Sequence, residues 1–190
     1  MKRIYRTLVL ACVVVGALAA VSAAGASAAP HFKASAKGSL KGTQTGNQVF
    51  TTGAGEVSYT KAATTGTVTN LEAVEQEVAV KYTGCTAFSF VGAEISEAKY
   101  NLHANGEVDV LNSIKITVPL AGCSVTVSPQ KGLKAVTYTN VSGKIEEASK
   151  VESIVSKGTG GICGGENKTG SYKGSNLVEL VGGTVEWLAS

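Results

Sequence analysis

Apolar and polar residues alternate one by one along much of this chain. Within residues 74–82 one set of alternate positions is mainly apolar and the other is mainly charged: Val74, Val78, Val80 and Tyr82 against Glu75, Glu77 and Lys81. Residues 114–118 repeat the pattern, a Pro-Leu-Ala-Gly segment interrupts it, and residues 123–127 resume it. Successive side chains of a β-strand point to opposite faces, so this pattern predicts strands with one buried face, two of them joined as a hairpin.

Further segments extend the same pattern to most of the chain. Residues 56–61, 135–141, 177–181 and 184–188 also alternate, and Asn105-Gly106 predicts a two-residue hairpin turn because both residues tolerate positive φ. Residues 145–155 leave a short helix open as an alternative, since Ile145, Ala148 and Val151 lie near helical spacing. The sequence predicts an all-β fold, a sandwich or barrel of about 8–12 short, mostly antiparallel strands.

The first 28 residues have the features of a cleaved signal peptide. A basic start with Lys2, Arg3 and Arg6 precedes an apolar stretch at residues 8–20, and small residues lead to a cleavage position near Ala28. The apolar stretch is short for a membrane span, so we expect export to a secreted or cell-surface location without a membrane span after processing. Residues 29–47, rich in Gly, Lys, Ser and Thr, predict a mobile N-terminal arm, and residues 48–190 a single β domain.

Processing would also remove the net positive charge. The formal charge of +3 comes from the three basic residues of the signal peptide, and the rest of the chain has 14 lysines, 14 acidic residues and no arginine. Arginine is the side chain that makes bidentate hydrogen bonds to phosphates and to guanine edges. We therefore expect no nucleic-acid partner.

The segment GTGGICGGENKTG at residues 158–170 invites two catalytic interpretations. A phosphate-binding P-loop needs glycine directly before Lys168, where this chain has Asn167. The motifs at residues 128–131, 138–140 and 168–170 occur in the order of those in serine β-lactamases and penicillin-binding proteins. However, the first two lie too close together to hold the helical subdomain that such a site needs. We expect an inter-strand loop and no cofactor.

Residues that build catalytic triads or metal sites are scarce. The chain has two histidines, His31 on the predicted arm and His103 beside the Asn-Gly turn, and one aspartate, Asp109. A triad would have to combine His103 with Asp109 or a glutamate and a serine. Zinc and calcium sites need clustered ligands, and the sequence has no such cluster. We expect no catalytic residue of this kind and no metal.

Glutamates and aromatic residues supply the other candidates. Pairs of glutamates, Glu75 with Glu77 and Glu146 with Glu147, could serve a glycosidase, but on strands they are typical of solvated faces. Trp187, near the C-terminus, is the aromatic residue that could stack on a ligand, although packing at a strand end is the alternative.

Three cysteines remain after processing, so one intrachain disulfide at most can form. Export to an oxidising space favours such a bond. Cys85 and Cys123 lie at strand ends, and we predict that they pair. Cys163 lies among four glycines and would then be an odd thiol, free or open to dimer formation through an intermolecular bridge.

Three segments carry a resemblance to a known group of proteins. Residues 82–85 (Tyr-Thr-Gly-Cys), 123–127 (Cys-Ser-Val-Thr-Val) and 170–174 (Gly-Ser-Tyr-Lys-Gly) resemble exported β-rich proteins of high-GC Gram-positive bacteria. That group has no established activity, so the resemblance implies an exported bacterial β protein and no particular chemistry. Its members carry more cysteines than this chain, which implies that Cys163 has lost a partner.

These observations together predict an exported, non-catalytic β domain with a structural or binding role outside the cytoplasmic membrane. Its partner would be an extracellular or cell-envelope component that the sequence does not identify. The alternative is a secreted hydrolase that acts on a glycan through paired glutamates.

Overall fold

The computed structural model describes residues 28–189, except for the side chains of Asn167 and Lys168. This part of the chain contains sixteen β-strands, two short 3-10 turns and no α-helix, so the predicted all-β class is confirmed. Within it, no helix is long and apolar enough to cross a membrane. Apart from Ala28, the predicted signal peptide lies outside the described residues.

The strands outnumber those expected, and four of them are long. In chain order they are β1 (His31–Ala34), β2 (Gly38–Gln44), β3 (Gln48–Thr52), β4 (Gly55–Val68), β5 (Glu72–Ala73), β6 (Glu75–Ala87), β7 (Val91–Ile95), β8 (Ala98–His103), β9 (Val108–Val110), β10 (Ile114–Val118), β11 (Cys123–Val127), β12 (Gln130–Leu133), β13 (Val136–Val141), β14 (Lys144–Thr159), β15 (Gly165–Leu180) and β16 (Val185–Leu188). Strands β4, β6, β14 and β15 have 13 to 16 residues each, and their two halves pair with different neighbours.

Eight strands close into a ring. The order around the ring is β3, β4, β6, β7, β10, β11, β14 and β15, and β15 pairs with β3 to complete it. Every one of these pairings is antiparallel. A closed sheet leaves no free edge inside the ring, and its inward side chains enclose the core. The strand pairing therefore corresponds to a barrel-like arrangement.

The other end of the ring uses a second set of neighbours. There β2 replaces β3 between β15 and β4, β8 replaces β7 beside β6, and β13 pairs with β14. A small sheet of β16, β1 and β5 packs at this end. Its Phe32 ring meets the ring of Tyr138 on β13 edge to face, with centroids 5.0 Å apart.

The prediction of a mobile arm at residues 29–47 does not match the structure. These residues contain β1 and β2, which pair with β5, β16, β4 and β15. The glycines that suggested flexibility allow close packing instead: a Cβ on Gly42 would lie 2.7 Å from the Cβ of Thr64. Leu40, two residues earlier, is buried in the core.

The helical alternative for residues 145–155 is wrong, because these residues belong to β14. Ile145, Val151 and Ile154 are buried, and the register of β14 against β15 shifts between Val151 and Ile154. Ser153 lies inside this bulge with φ 62°. A bulge adds one residue to a strand and breaks the period of two, so Val151 and Ile154 are both buried at a spacing of three. Ala148, which helical spacing would place on the buried face, is exposed.

Candidate functional site

A cavity of about 90 Å³ lies in the interior, lined by strands of the ring together with β8, β9 and β12. Its walls are mainly the inward valines and isoleucines of β6, β9, β10, β11, β14 and β15. The lining residues with polar side-chain atoms are Tyr59, Thr64, Tyr82, Tyr100, Glu147, Ser149, Tyr172 and Asn176. A largely apolar hollow with a few polar groups is the usual composition of a small-molecule site.

A second, smaller cavity adjoins the first. It has a volume of about 60 Å³ and lies toward the small sheet, beside Phe32 and Tyr138. The two cavities share Val78, Glu147 and Val178 among their lining residues. Glu147 therefore borders both hollows.

A chain of hydrogen bonds crosses the interior and ends at Glu147. The Tyr172 hydroxyl donates to Gln48 Oε1 (2.7 Å), and Gln48 Nε2 donates to Asn176 Oδ1 (2.8 Å). Asn176 Nδ2 donates to Glu147 Oε2 (2.8 Å), and Glu147 Oε1 is hydrogen-bonded to the Ser149 hydroxyl. Buried polar groups are costly unless they are paired, so the chain holds these side chains in fixed positions.

Glu147 is a buried carboxyl group without a basic partner among the described ion pairs. It is 7% exposed. Burial raises the pKa of Glu147, and the hydrogen bonds from Ser149 and Asn176 act in the opposite direction. The prediction that Glu146 and Glu147 share a solvated face is therefore wrong for Glu147. Neighbouring residues of a strand point to opposite faces, and Glu147 has the inward parity of Ile145.

Three further tyrosines line the cavity. The hydroxyl oxygens of Tyr82 and Tyr100 are 3.0 Å apart, and the rings of Tyr59 and Tyr82 pack with centroids 4.6 Å apart. Burial raises the pKa of each of these three tyrosines well above its ordinary value. They are neutral hydrogen-bonding groups over the physiological range.

Thr64, on β4, supplies a polar atom without a partner. Its side chain is 5% exposed and lines the larger cavity, and Oγ1 has no hydrogen bond within the described part of the chain. Leaving a buried hydroxyl unpaired costs about 1–3 kcal/mol. An interior polar atom of this kind is a candidate contact for a ligand.

The seam between β12 and β14 is bridged in part by a side chain. Beside β12 and β14, Gln130 Nε2 donates to the carbonyl of Val155 and Val155 N donates to Gln130 Oε1, both at 3.0 Å. Leu133 and Ser149, which line the cavity near this seam, are half-buried. Backbone hydrogen bonds continue the seam: Lys150 N donates to the Ala135 carbonyl (2.9 Å), and Ala135 N donates to the Lys150 carbonyl (3.4 Å).

His103 lies outside the cavity between two carboxylates. His103 Nε2 is 3.2 Å from Asp109 Oδ2, and Nδ1 is 3.6 Å from Glu75 Oε2. Burial opposes ionisation of Asp109, but the Gly132 N–H and His103 lower its pKa overall. The described contacts of His103 include no serine, and the described residues contain no group of three metal-ligating side chains. The arrangement can orient an imidazole and lacks a nucleophile.

An open, polar cleft of about 1110 Å³ runs beside the same region, on the outer surface of β4 and β6. It is lined by Glu75 and Glu77, the pair that the sequence offered for glycan hydrolysis, together with Glu72 and Asn101. Both members of the pair are exposed, as a solvated strand face predicts.

Trp187 is half-buried at the end of the small sheet. Its Nε1 donates to the carbonyl of Ala104 (2.9 Å), and its ring packs against Tyr138 with centroids 6.1 Å apart. Neither cavity includes Trp187 in its lining. In this position the indole joins the small sheet to the loop after β8.

The predicted pairing of Cys85 with Cys123 is wrong. Cys123 is bonded to Cys163, with Cα atoms 5.6 Å apart, and Cys85 is a buried free thiol whose pKa is raised by burial. Glycines bring Cys163 back to β11: Gly160 and Gly161 have positive φ, and a Cβ on Gly158 would overlap the carbonyl of Cys163. With its sulfur in this bond, Cys163 is not an odd thiol, and a dimer through Cys163 would require the bond to open.

The glycine-rich segment is also more ordered than a loop. After the 3-10 turn Gly161–Cys163, strand β15 begins at Gly165 and contains the Lys-Thr-Gly sequence. Its backbone pairs with β14, at Lys157 with Glu166 and at Ile154 with Gly170. These residues therefore form part of the ring.

Comparison of the chain with known protein families, with curated proteins and with solved structures found no match in any of the three.

Proposed function

We propose that this chain is an exported, non-catalytic β protein that binds a small molecule in its interior, outside the cytoplasmic membrane. The observation that carries the proposal is the cavity within the closed ring, bordered by the buried Glu147 and by the unpaired hydroxyl of Thr64. A core without a ligand site is normally filled by apolar side chains, and uncompensated polar groups are rare there.

Two features support export to a secreted or cell-surface location. The first 28 residues have the order of basic, apolar and small residues found in signal peptides. The bond between Cys123 and Cys163 is of the kind that persists in oxidising compartments. We also propose, from the three matching segments, that the chain belongs with the exported β-rich proteins of high-GC Gram-positive bacteria.

The test uses the whole chain, expressed with its N-terminal segment in a Gram-positive host. We expect the protein in the medium or the cell-wall fraction, with a new N-terminus at Ala29. Native mass spectrometry should then detect a small bound molecule that disappears after organic extraction, while the protein mass stays the same. A protein that stays in the cytoplasm with residues 1–28 still attached would refute export. A protein that carries no small molecule in any growth condition would refute interior binding.

The outer cleft favours a second candidate, hydrolysis of a glycan through Glu75 and Glu77. Both side chains line a polar cleft that is large enough for a sugar chain. Substitution of either residue by glutamine should then abolish glycan hydrolysis by the secreted protein, whereas Glu56→Gln, at an exposed position outside the cleft, should not. If the secreted protein hydrolyses no cell-wall glycan, this candidate is eliminated.

A further inference from the structure

We propose that the larger cavity takes a neutral molecule of about the size of phenol, with an apolar body and one hydroxyl group that pairs with Thr64. This inference rests on the proposed interior binding and adds the chemical class of the ligand. Three properties of the cavity support it: its volume, the state of its polar groups, and the charges of its walls.

The volume limits the ligand to a few heavy atoms. An apolar cavity of about 150 Å³ takes up benzene in an engineered protein. The larger cavity here has about 90 Å³, and the adjoining one, across the wall formed by Val78 and Val178, has about 60 Å³. A single ring or a short branched chain fits this space after small shifts of those side chains, whereas a sugar or a fatty acid does not.

Among the fully buried side-chain oxygen and nitrogen atoms of the lining residues, one has no hydrogen-bond partner within the described part of the chain. Both oxygens of Glu147 already have hydrogen-bond partners in Ser149 and Asn176, and the Tyr82 hydroxyl pairs with Tyr100. Thr64 lines the cavity, and its buried Oγ1 has no hydrogen-bond partner within the described residues. A hydroxyl on the ligand can both donate to and accept from Thr64, and the cost of burying an unpaired group would then be removed.

The walls disfavour a charged ligand. No lysine or histidine lines the larger cavity, and the chain beyond residue 6 has no arginine. The adjoining cavity includes Lys33 in its lining, but this side chain is exposed to solvent. An anion in the larger cavity would therefore find no counter-ion. A cation would have to share Glu147 with the Ser149 hydroxyl and Asn176 Nδ2, which already donate to its two oxygens. Burial of an unpaired charge is far more costly than burial of a hydroxyl.

The test compares phenol with toluene, which has the same number of non-hydrogen atoms and no hydroxyl. Each is titrated into the purified secreted protein with its disulfide intact, and methyl resonances are followed by NMR. We expect saturable shifts at Val78, Ile116 and Val127, which line the cavity, and none at the exposed Val141 and Val181.

Variants of Thr64, with a control at Thr67, test whether the ligand hydroxyl contacts Thr64. Thr64→Val keeps the shape of the side chain and should lower the ratio of phenol to toluene affinity about fivefold, the effect of one neutral hydrogen bond. Thr64→Ser should retain the ratio, and Thr67→Val, on the exposed face of the same strand, should leave it unchanged. Continued toluene binding by Thr64→Val shows that the cavity of that variant is intact.

Three outcomes would overturn the inference. The first is that neither probe shifts the methyl resonances of the cavity. The second is that Thr64→Val leaves the ratio of phenol to toluene affinity unchanged. The third is that benzylammonium binds more tightly than phenol. If any one of these outcomes occurs while the secreted protein still carries an extractable small molecule, the interior-binding proposal stands and only the ligand class is wrong. If no such molecule is found and no probe binds, both proposals fail.

Discussion

Loss of the disulfide between Cys123 and Cys163 is expected to lower the free energy of unfolding by about 4 kcal/mol. The magnitude follows from the sequence separation of 40 residues, which sets the conformational entropy that the bond removes from the unfolded chain. In a domain of this size about 1 kcal/mol corresponds to about 2–4 °C in Tm, so the expected decrease is about 8–16 °C. Since domains are stable by only about 5–15 kcal/mol, the bond contributes a large share.

The perturbation is Cys163→Ala, and the matched control is Cys85→Ala, at a cysteine that is also buried but unbonded. Urea unfolding is measured for each variant with and without reductant. The wild-type protein and Cys85→Ala should each lose about 4 kcal/mol on reduction, whereas Cys163→Ala should be insensitive to it. Insensitivity of Cys85→Ala to reductant, with sensitivity kept in Cys163→Ala, would refute the assignment and restore the pairing of Cys85 with Cys123.

Two further predictions concern buried positions. The pKa of Glu147 is raised in the folded state, so its contribution to stability is complete below its ordinary pKa of 4.5 and is lost as the pH rises through the folded-state pKa. Urea unfolding at several pH values between about 5 and 8 should therefore show stability that falls for the wild type and falls less for Glu147→Gln; equal slopes would contradict the assignment. Gly158→Ala should place a methyl group against the Cys163 carbonyl and destabilise the protein by about 2 kcal/mol or more, whereas Gly92→Ala, with open space at its Cβ, should change little. Thermal unfolding of both variants decides this, and equal Tm values would refute the packing argument.

Part of the interior site could be predicted from the sequence. Glu147 is two positions from Ile145, and the parity rule that predicted the strands also places both side chains on one face. The neighbouring Glu146 made the pair look like a charged outer face, although adjacent residues cannot share a face of a strand. Gln48 and Asn176 have the same parity as the buried Phe50 and Val178. Both residue types are mostly found at the surface, so composition argued against the inward direction that parity gives.

The cysteine pairing and the N-terminal strands could not be predicted from local pattern. Glycine-rich segments around Cys163 and Gly42 indicate flexibility when only composition is considered. In the folded chain the same glycines permit close approach, at Gly158 against the Cys163 carbonyl and at Gly42 against Thr64. Whether a glycine makes the backbone flexible or allows another segment to pack closely depends on the neighbour in the folded chain.

The alternation of apolar and polar residues determined by itself that this chain is built from β-strands with one buried face, because a strand exposes its faces in turn whatever it pairs with. The closure of the ring, the partner of Cys123 and the hollow beside Thr64 depend on pairings such as that between Phe50 on β3 and Tyr172 on β15. The pairing that closes the ring joins residues more than 100 positions apart, and the disulfide joins residues 40 positions apart. Local sequence pattern cannot predict which distant residues meet. Only the tertiary structure decided them, and with them the space in which a ligand would bind.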